Sequence, residues 1–352
     1  MRVPSNSQKT NPGGNTMMKI LSCCALILTA VLFGLAPTSA EPVKLRIGWV
    51  VAGADAPFQL FGPKGVATHE NVTYTIEGIH FNGTPTMITA LATGEIDLAP
   101  LAYSSFPLAV QNGRMDDLKV ISDVFQDGVP GYYSNEFMVL KDGPIKTLQD
   151  LKGTVIATNG AGSAVDIAMR SMLVKNGINP KSDVTVIEVA FPTMKAQLQE
   201  KKAALISSVR PFSADPELRA MARTLFTQQD AIGRSQMIVM TGRAPTLEKN
   251  RAAIIDFLED HIREVRWFMD PAHHDEAVKL LADFTKQPPA RFESWAFKKE
   301  SDFYHDPAGR PDVAALQANI TETNKLGFIP QPMDVQKFVD LGYVDGANAR
   351  LK

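Results

Sequence analysis

The chain has 352 residues, 45% of them hydrophobic and 21% charged, with 36 basic against 38 acidic side chains. That length and apolar share suffice for one or two hydrophobic cores, and a formal net charge of −2 excludes the basic footprint of a nucleic-acid-binding protein. Both cysteines, Cys23 and Cys24, fall within residues 1–40, so the remainder excludes disulfides, thiolate metal sites and cysteine nucleophiles.

Residues 17–40 have the three parts of a secretory signal peptide. Lys19 supplies the positive end, residues 20–35 are almost wholly apolar, and Pro37-Thr38-Ser39-Ala40 predicts cleavage after Ala40. The apolar run is shorter than the roughly 20 residues that span a bilayer. Cys23 precedes that run rather than following it, which disfavours a lipid anchor. Residues 1–16 are polar and fit no part of this plan, so the expected translation start is Met17 or Met18. Without Arg2, Lys9 and Lys19 the exported chain carries 33 basic and 38 acidic groups, a net charge of −5.

Residues 43–51 and 72–77 read as strands. Thr84-Pro85 opens a helix, with Thr84 as the expected cap and proline in the first turn; Met87, Ile88 and Leu91 give one apolar face and Gly94 the stop. Residues 95–99 return as a strand, completing βαβ grammar and implying a parallel sheet. The same grammar follows over residues 154–157, a tight loop at 159–162, a helix from Ser163, and strands near 184–189 and 204–209. Pro85-Thr86-Met87 with Leu91 and Leu98 is repeated 107 positions later as Pro192-Thr193-Met194 with Leu198 and Leu205. Two such units predict two lobes across a cleft, and ligands bind outside the carboxyl ends of the strands in sheets of this kind. Residues 136–140 and 235–240 read as strands that carry the chain between lobes. Beyond Pro245 the pattern is helical, with one long amphipathic helix marked by Ile254, Ile255, Phe257, Leu258, Ile262, Val265 and Phe268.

The leader, Ile47-Gly48-Trp49, the run from Ala90 to Ala99, and Lys146-Thr147-Leu148-Gln149-Asp150-Leu151-Lys152-Gly153 together resemble periplasmic substrate-binding proteins of ABC importers, in the nitrate, sulfonate, taurine and thiamine-precursor group. The resemblance covers most of residues 43–245. It implies an α/β, two-lobed periplasmic-binding-protein-like fold of type II, with lobe 1 at 41–135 and 241–352, including a helical tail, and lobe 2 at 136–240. It also implies a monomer that needs no cofactor, captures a small organic anion in the periplasm and presents it to membrane permease subunits. Nitrate, a thiamine precursor, an exported enzyme and a ligand sensor remain open as alternatives on the same scaffold. Pyrimidine synthases related to this group use a cysteine-rich segment that the exported chain lacks.

Arg210, in Ser207-Ser208-Val209-Arg210-Pro211-Phe212, departs from the small, acidic or aromatic residue that the group often has there. A guanidinium fork suits carboxylate, sulfonate or phosphate oxygens, the alternative being a structural salt bridge. The 107-residue shift sets Tyr103, followed by Ser104, opposite Arg210. Gly162 and Ser163 open a helix whose free N–H groups attract anions, unless Ser163 is simply an N-cap. Asn82 and Thr84 are the matching positions in lobe 1, and the resemblance places Trp49 near the ligand as an aromatic wall, the alternative being burial in the core beneath the loop. Phe81, Phe106, Phe191 and Phe212 read as core. No dinucleotide, Walker or nucleophile-elbow motif occurs, and neither His273-His274-Asp275-Glu276 nor His261 with Glu264 makes a metal set, so no catalytic or metal residue is assigned.

Overall fold

The computed structural model describes residues 41–351. The signal segment, its cleavage point and the translation start lie outside the described residues. β1 (Val43–Trp49) runs parallel to β2 (Tyr74–His80), in register from Val43 opposite Tyr74 to Trp49 opposite His80. The helix Thr84–Thr93 leads into β3 (Leu98–Ala102), which joins the other edge of β1. The helix ends where Gly94 takes φ +74°, a conformation a Cβ disfavours, and its N–H returns to the carbonyls of Ala90 and Leu91. Its start differs from expectation. Gly83 is the N-cap and Thr84 the first helical residue, with its hydroxyl 2.7 Å from Ser105 Oγ instead of on the backbone.

β4 (Leu118–Asp127) closes the far edge of this sheet, and β10 (Ser235–Arg243) inserts antiparallel between β3 and β4, giving the order β2-β1-β3-β10-β4. The second sheet consists of β5 (Glu136–Leu140), β6 (Val155–Thr158), β7 (Thr185–Glu188), β8 (Leu205–Ser208) and β9 (Ala222–Thr227), in the order β7-β6-β8-β5-β9. In each sheet three parallel strands meet one antiparallel strand that arrives from the other sheet. The internal echo is therefore physical: the helices Thr84–Thr93 and Met194–Gln199 feed β3 and β8, the third strand of either sheet.

Two strands escape the sequence pattern. β4 is buried on both faces, so it shows no alternation, and its two aspartates disguise it further. β9 directly follows the short helix Pro216–Met221, with no turn residues to announce it. The segments expected to carry the chain between lobes prove to be full sheet members, β5 and β10, and the crossings lie just before them, at residues 128–135 and 228–234. Asp127 straps these crossings: it accepts from Ser134 Oγ at 2.5 Å and Asn135 N at 2.8 Å, while Ser134 Oγ takes Gln229 N at 3.0 Å and Asn135 Nδ2 reaches Gln228 Oε1.

The helix Arg251–Phe268 has no Gly or Pro within it and ends before Asp270-Pro271. Ile254, Phe257, Leu258, Ile262, Val265 and Phe268 are buried, each contributing roughly 1.5–3 kcal/mol. The helix packs on the Phe58–Leu60 turn, on β2 and on the last helix, Gly342–Arg350, while the helix Val313–Lys325 covers β10. The tail thus belongs to the side of the first sheet and touches the other through Ser171 Oγ, which donates to Glu322 Oε1 at 2.5 Å.

Candidate ligand-binding cleft

The carboxyl ends of β1, β3, β6, β7 and β8 converge on two connected spaces, as open α/β sheets dictate. The inner cavity, about 80 Å³, has room for several water-sized groups. Apolar side chains dominate its wall, among them Phe125, Phe191, Val209, Met237 and Phe303. It opens past Val50, Val51, Asn159 and Phe191 into a vestibule of about 680 Å³ lined by Phe81, Phe212 and Phe292. Of the four phenylalanines expected in the core, only Phe106 is there with no cleft surface; Phe81, Phe191 and Phe212 face the ligand route.

Arg210 stands on the cavity wall and is only 9% exposed. Its Nε donates to the Ser301 carbonyl at 3.0 Å and one terminal nitrogen to Ser213 Oγ at 2.9 Å, with the guanidinium 4.0 Å from the Tyr133 ring centroid. Among the described residues no carboxylate comes within 4.0 Å of it, so this buried cation has no counter-ion in direct contact. Burial lowers its pKa from the ordinary value. The other charged side chain on the wall is Asp55, 4% exposed, in the loop after β1. Its Oδ1 accepts from Val50 N at 3.1 Å and Val51 N at 2.6 Å, and burial pushes its carboxyl up to about 6. Nothing in the sequence around Asp55 marked it, beyond an acid set in an apolar run.

Of the residues expected at the site, Thr84, Ser163 and Arg210 line the cavity and Asn82 lines the vestibule. Four do not. Trp49 turns aside to pack at a tilt against His80, centroids 4.5 Å apart, and against Phe284. Tyr103 is fully buried, and its hydroxyl donates to the Ala164 carbonyl at 2.7 Å, joining the end of β3 to a helix of the second sheet. Ser104 is buried with an unpartnered hydroxyl. The Gly162 N–H is taken by Asp166 Oδ2 at 2.9 Å, so the helix Ala164–Lys175 already holds its own carboxylate in the first turn. Ser163 caps that helix, accepting from Asp166 N, and donates to Asn159 Oδ1 at 2.7 Å. The N–H groups of Ala164 and Val165, in the first turn, have no acceptor among the described residues, as helix geometry requires, and both residues line the same cavity as Arg210.

The sequence profile of the NMT1-like family matches residues 38–282. The chain belongs to the NMT1-like family. A nitrate/nitrite-binding protein of Synechococcus elongatus is 27% identical to this NMT1-like chain over 158 residues, which take in 42% of the chain and 36% of that relative's length. The periplasmic nitrate-binding protein of Synechocystis PCC 6803 superposes with a TM-score of 0.70 at 15% identity, over 89% of this chain and 90% of its own. The periplasmic aliphatic sulphonate-binding protein of Escherichia coli does so with a TM-score of 0.65 at 18% identity, over 87% and 100%. The fold of this NMT1-like protein is that of the periplasmic binding proteins. Away from the cleft, His69, Asp256 and Glu259 lie close enough to share a metal ion, but Arg350 and Arg263 already pair with these carboxylates.

Proposed function

We propose that this protein is the solute-binding component of an ABC importer, exported to the periplasm after loss of residues 1–40. It binds a small organic acid in the cavity, as a monomer, and delivers it to the permease without making or breaking a bond. The observation that carries the reading is Arg210, a buried guanidinium on the cavity wall with no carboxylate within 4.0 Å. Glu136 and Asp302 act on this cation only from beyond contact distance; burying it without a carboxylate in contact is costly, and a carboxylate or sulfonate arriving in the cavity offsets that cost through charge-assisted hydrogen bonds. Ala164 and Val165 N–H groups stand ready to share the charge. The phenylalanines of the vestibule suit a ligand with an apolar or aromatic body behind its acid group. The names of the nitrate and sulphonate relatives support an oxyanion as the recognised group. Closure on the ligand takes place about the crossings at 128–135 and 228–234, where Gly128 and Gly233 both hold positive φ.

A thermal-shift panel of nitrate, alkanesulfonates, aromatic carboxylates and neutral pyrimidines tests this. A ligand at 100 times its dissociation constant adds about 2.7 kcal/mol, or about 4 °C at this chain length. A shift confined to organic acids is expected. A shift with neutral pyrimidines alone refutes the role given to Arg210.

A further inference from the structure

Asp55 is a carboxylate where the loop needs only an oxygen. The turn after β1 is built by the Val51 carbonyl, which accepts from the N–H groups of Ala54 at 3.1 Å, Asp55 at 3.1 Å and Ala56 at 3.3 Å. Asp55 Oδ1 completes it by taking Val50 N and Val51 N. An asparagine of the same shape makes both bonds without burying a charge, so the loop does not explain the acid. Asp55 Oδ2 makes no hydrogen bond among the described residues, and no Lys, Arg or His nitrogen lies within 4.0 Å of the carboxylate. The cavity wall holds a second unused acceptor, Asn135 Oδ1, whose amide nitrogen is turned to Gln228. Asp55 and Arg210 are the only charged side chains among the described residues on that wall; His80, Glu188 and Arg291 stand outside, in the vestibule.

A bare oxyanion fits half of this wall. It pairs with Arg210, but it brings no hydrogen for Asp55 Oδ2 or Asn135 Oδ1, and its charge repels Asp55 in a space with little water to screen it. A molecule that carries both an acid group and an N–H donor satisfies Arg210 and Asp55 at once. We propose that the ligand is amphoteric: beside the acid group held by Arg210 it carries an amino group or ring N–H held by Asp55, which thereby selects against nitrate and simple alkanesulfonates. This rests on the reading of Arg210 as the acid-binding group, and it narrows the ligand to a class that neither relative's name states.

The test is isothermal titration of the purified protein with matched pairs in which an ammonium replaces a methyl group: 3-aminopropanesulfonate against butanesulfonate, and 4-(aminomethyl)benzoate against 4-ethylbenzoate. At about pH 8 the amino member of at least one pair is expected to bind ten-fold tighter or more, because a site built for a donor discriminates strongly against its loss. In Asp55→Asn, which keeps the two loop hydrogen bonds, that preference is expected to shrink to about two-fold, with the methyl member bound as well as before or better. Equal affinity within both pairs in wild type overturns the amphoteric ligand while leaving an acid-binding cleft intact. A preference that survives in Asp55→Asn overturns the assignment to Asp55. If no acid of either kind binds, the reading of Arg210 falls, and the amphoteric ligand with it.

Discussion

Replacing Arg210 with methionine separates a ligand-binding cation from a structural one. Methionine keeps most of the volume against Tyr133 and Trp295 while removing the charge. The loss comprises two hydrogen bonds from a charged donor, to Ser301 O at 3.0 Å and Ser213 Oγ at 2.9 Å, roughly 1.5–3 kcal/mol each. Ser213 Oγ stays satisfied by the Tyr133 hydroxyl at 2.7 Å, which puts that bond at the lower end. Against this stands the relief of burying an ion whose direct contacts include no carboxylate, itself worth several kcal/mol. The two nearly cancel, so the net change should stay within about 2 kcal/mol. For roughly 310 ordered residues at about 2.1 cal/mol/K each, the unfolding entropy is about 0.65 kcal/mol/K, and the melting temperature should move by no more than about 3 °C. Calorimetry on the ligand-free protein measures this directly. Were Arg210 half of a buried ion pair, its removal would strand a charge and cost about 3–5 kcal/mol, a drop of about 5–8 °C. A drop of that size, with acid binding retained, would refute the reasoning from which the function follows.

Tyr103→Phe removes the hydroxyl that reaches the Ala164 carbonyl, at a cost of about 1 kcal/mol and a fall of about 1.5 °C in melting temperature; an unchanged melting curve would show that this link between the sheets carries no stability. Gly128→Ala places a Cβ at φ +74° and 3.1 Å from the Gly233 carbonyl, so a loss of about 1–3 kcal/mol in chemical denaturation is expected. Burial raises Asp123, Asp127 and Asp302 to about 7 and Asp55 to about 6, above their unfolded value of 3.8. The folded state therefore binds more protons than the unfolded state between about pH 4 and 7, and this contribution to stability is lost as pH rises through the folded values. Buried His261 and His305, pushed down to about 4, act in the opposite direction over this range, but four aspartates outnumber them, so the melting temperature is expected to be higher at about pH 5 than at about pH 8; the reverse order would contradict the raised aspartate values.

Much of the scaffold was legible in the chain because it is written in local grammar. A proline in a first helical turn, Gly94 at a left-handed stop and the repeat of Pro-Thr-Met before β3 and β8 are short-range signals, and they predicted two α/β units with equivalent strands. Arg210 was legible for the same reason: the repeat set it just past a strand end, where ligands bind. β4 and β9 were not, since burial on both faces erases the alternation that reveals a strand, and a strand entered without a turn has no boundary to read.

What folding alone decided is which side chains reach the cavity. Trp49, Tyr103, Ser104 and Gly162 stand at the expected places along the chain, yet a tilted aromatic neighbour, a distant carbonyl, a buried niche and a neighbouring carboxylate took them first. Asp55, Asn135 and Phe303 come from separate stretches and meet only because the sheets and the tail loop pack together. Periodicity and capping depend on residues a few positions apart and survive in the sequence. The direction of a side chain depends on competing partners dozens to hundreds of residues away, and only the packed chain settles that competition.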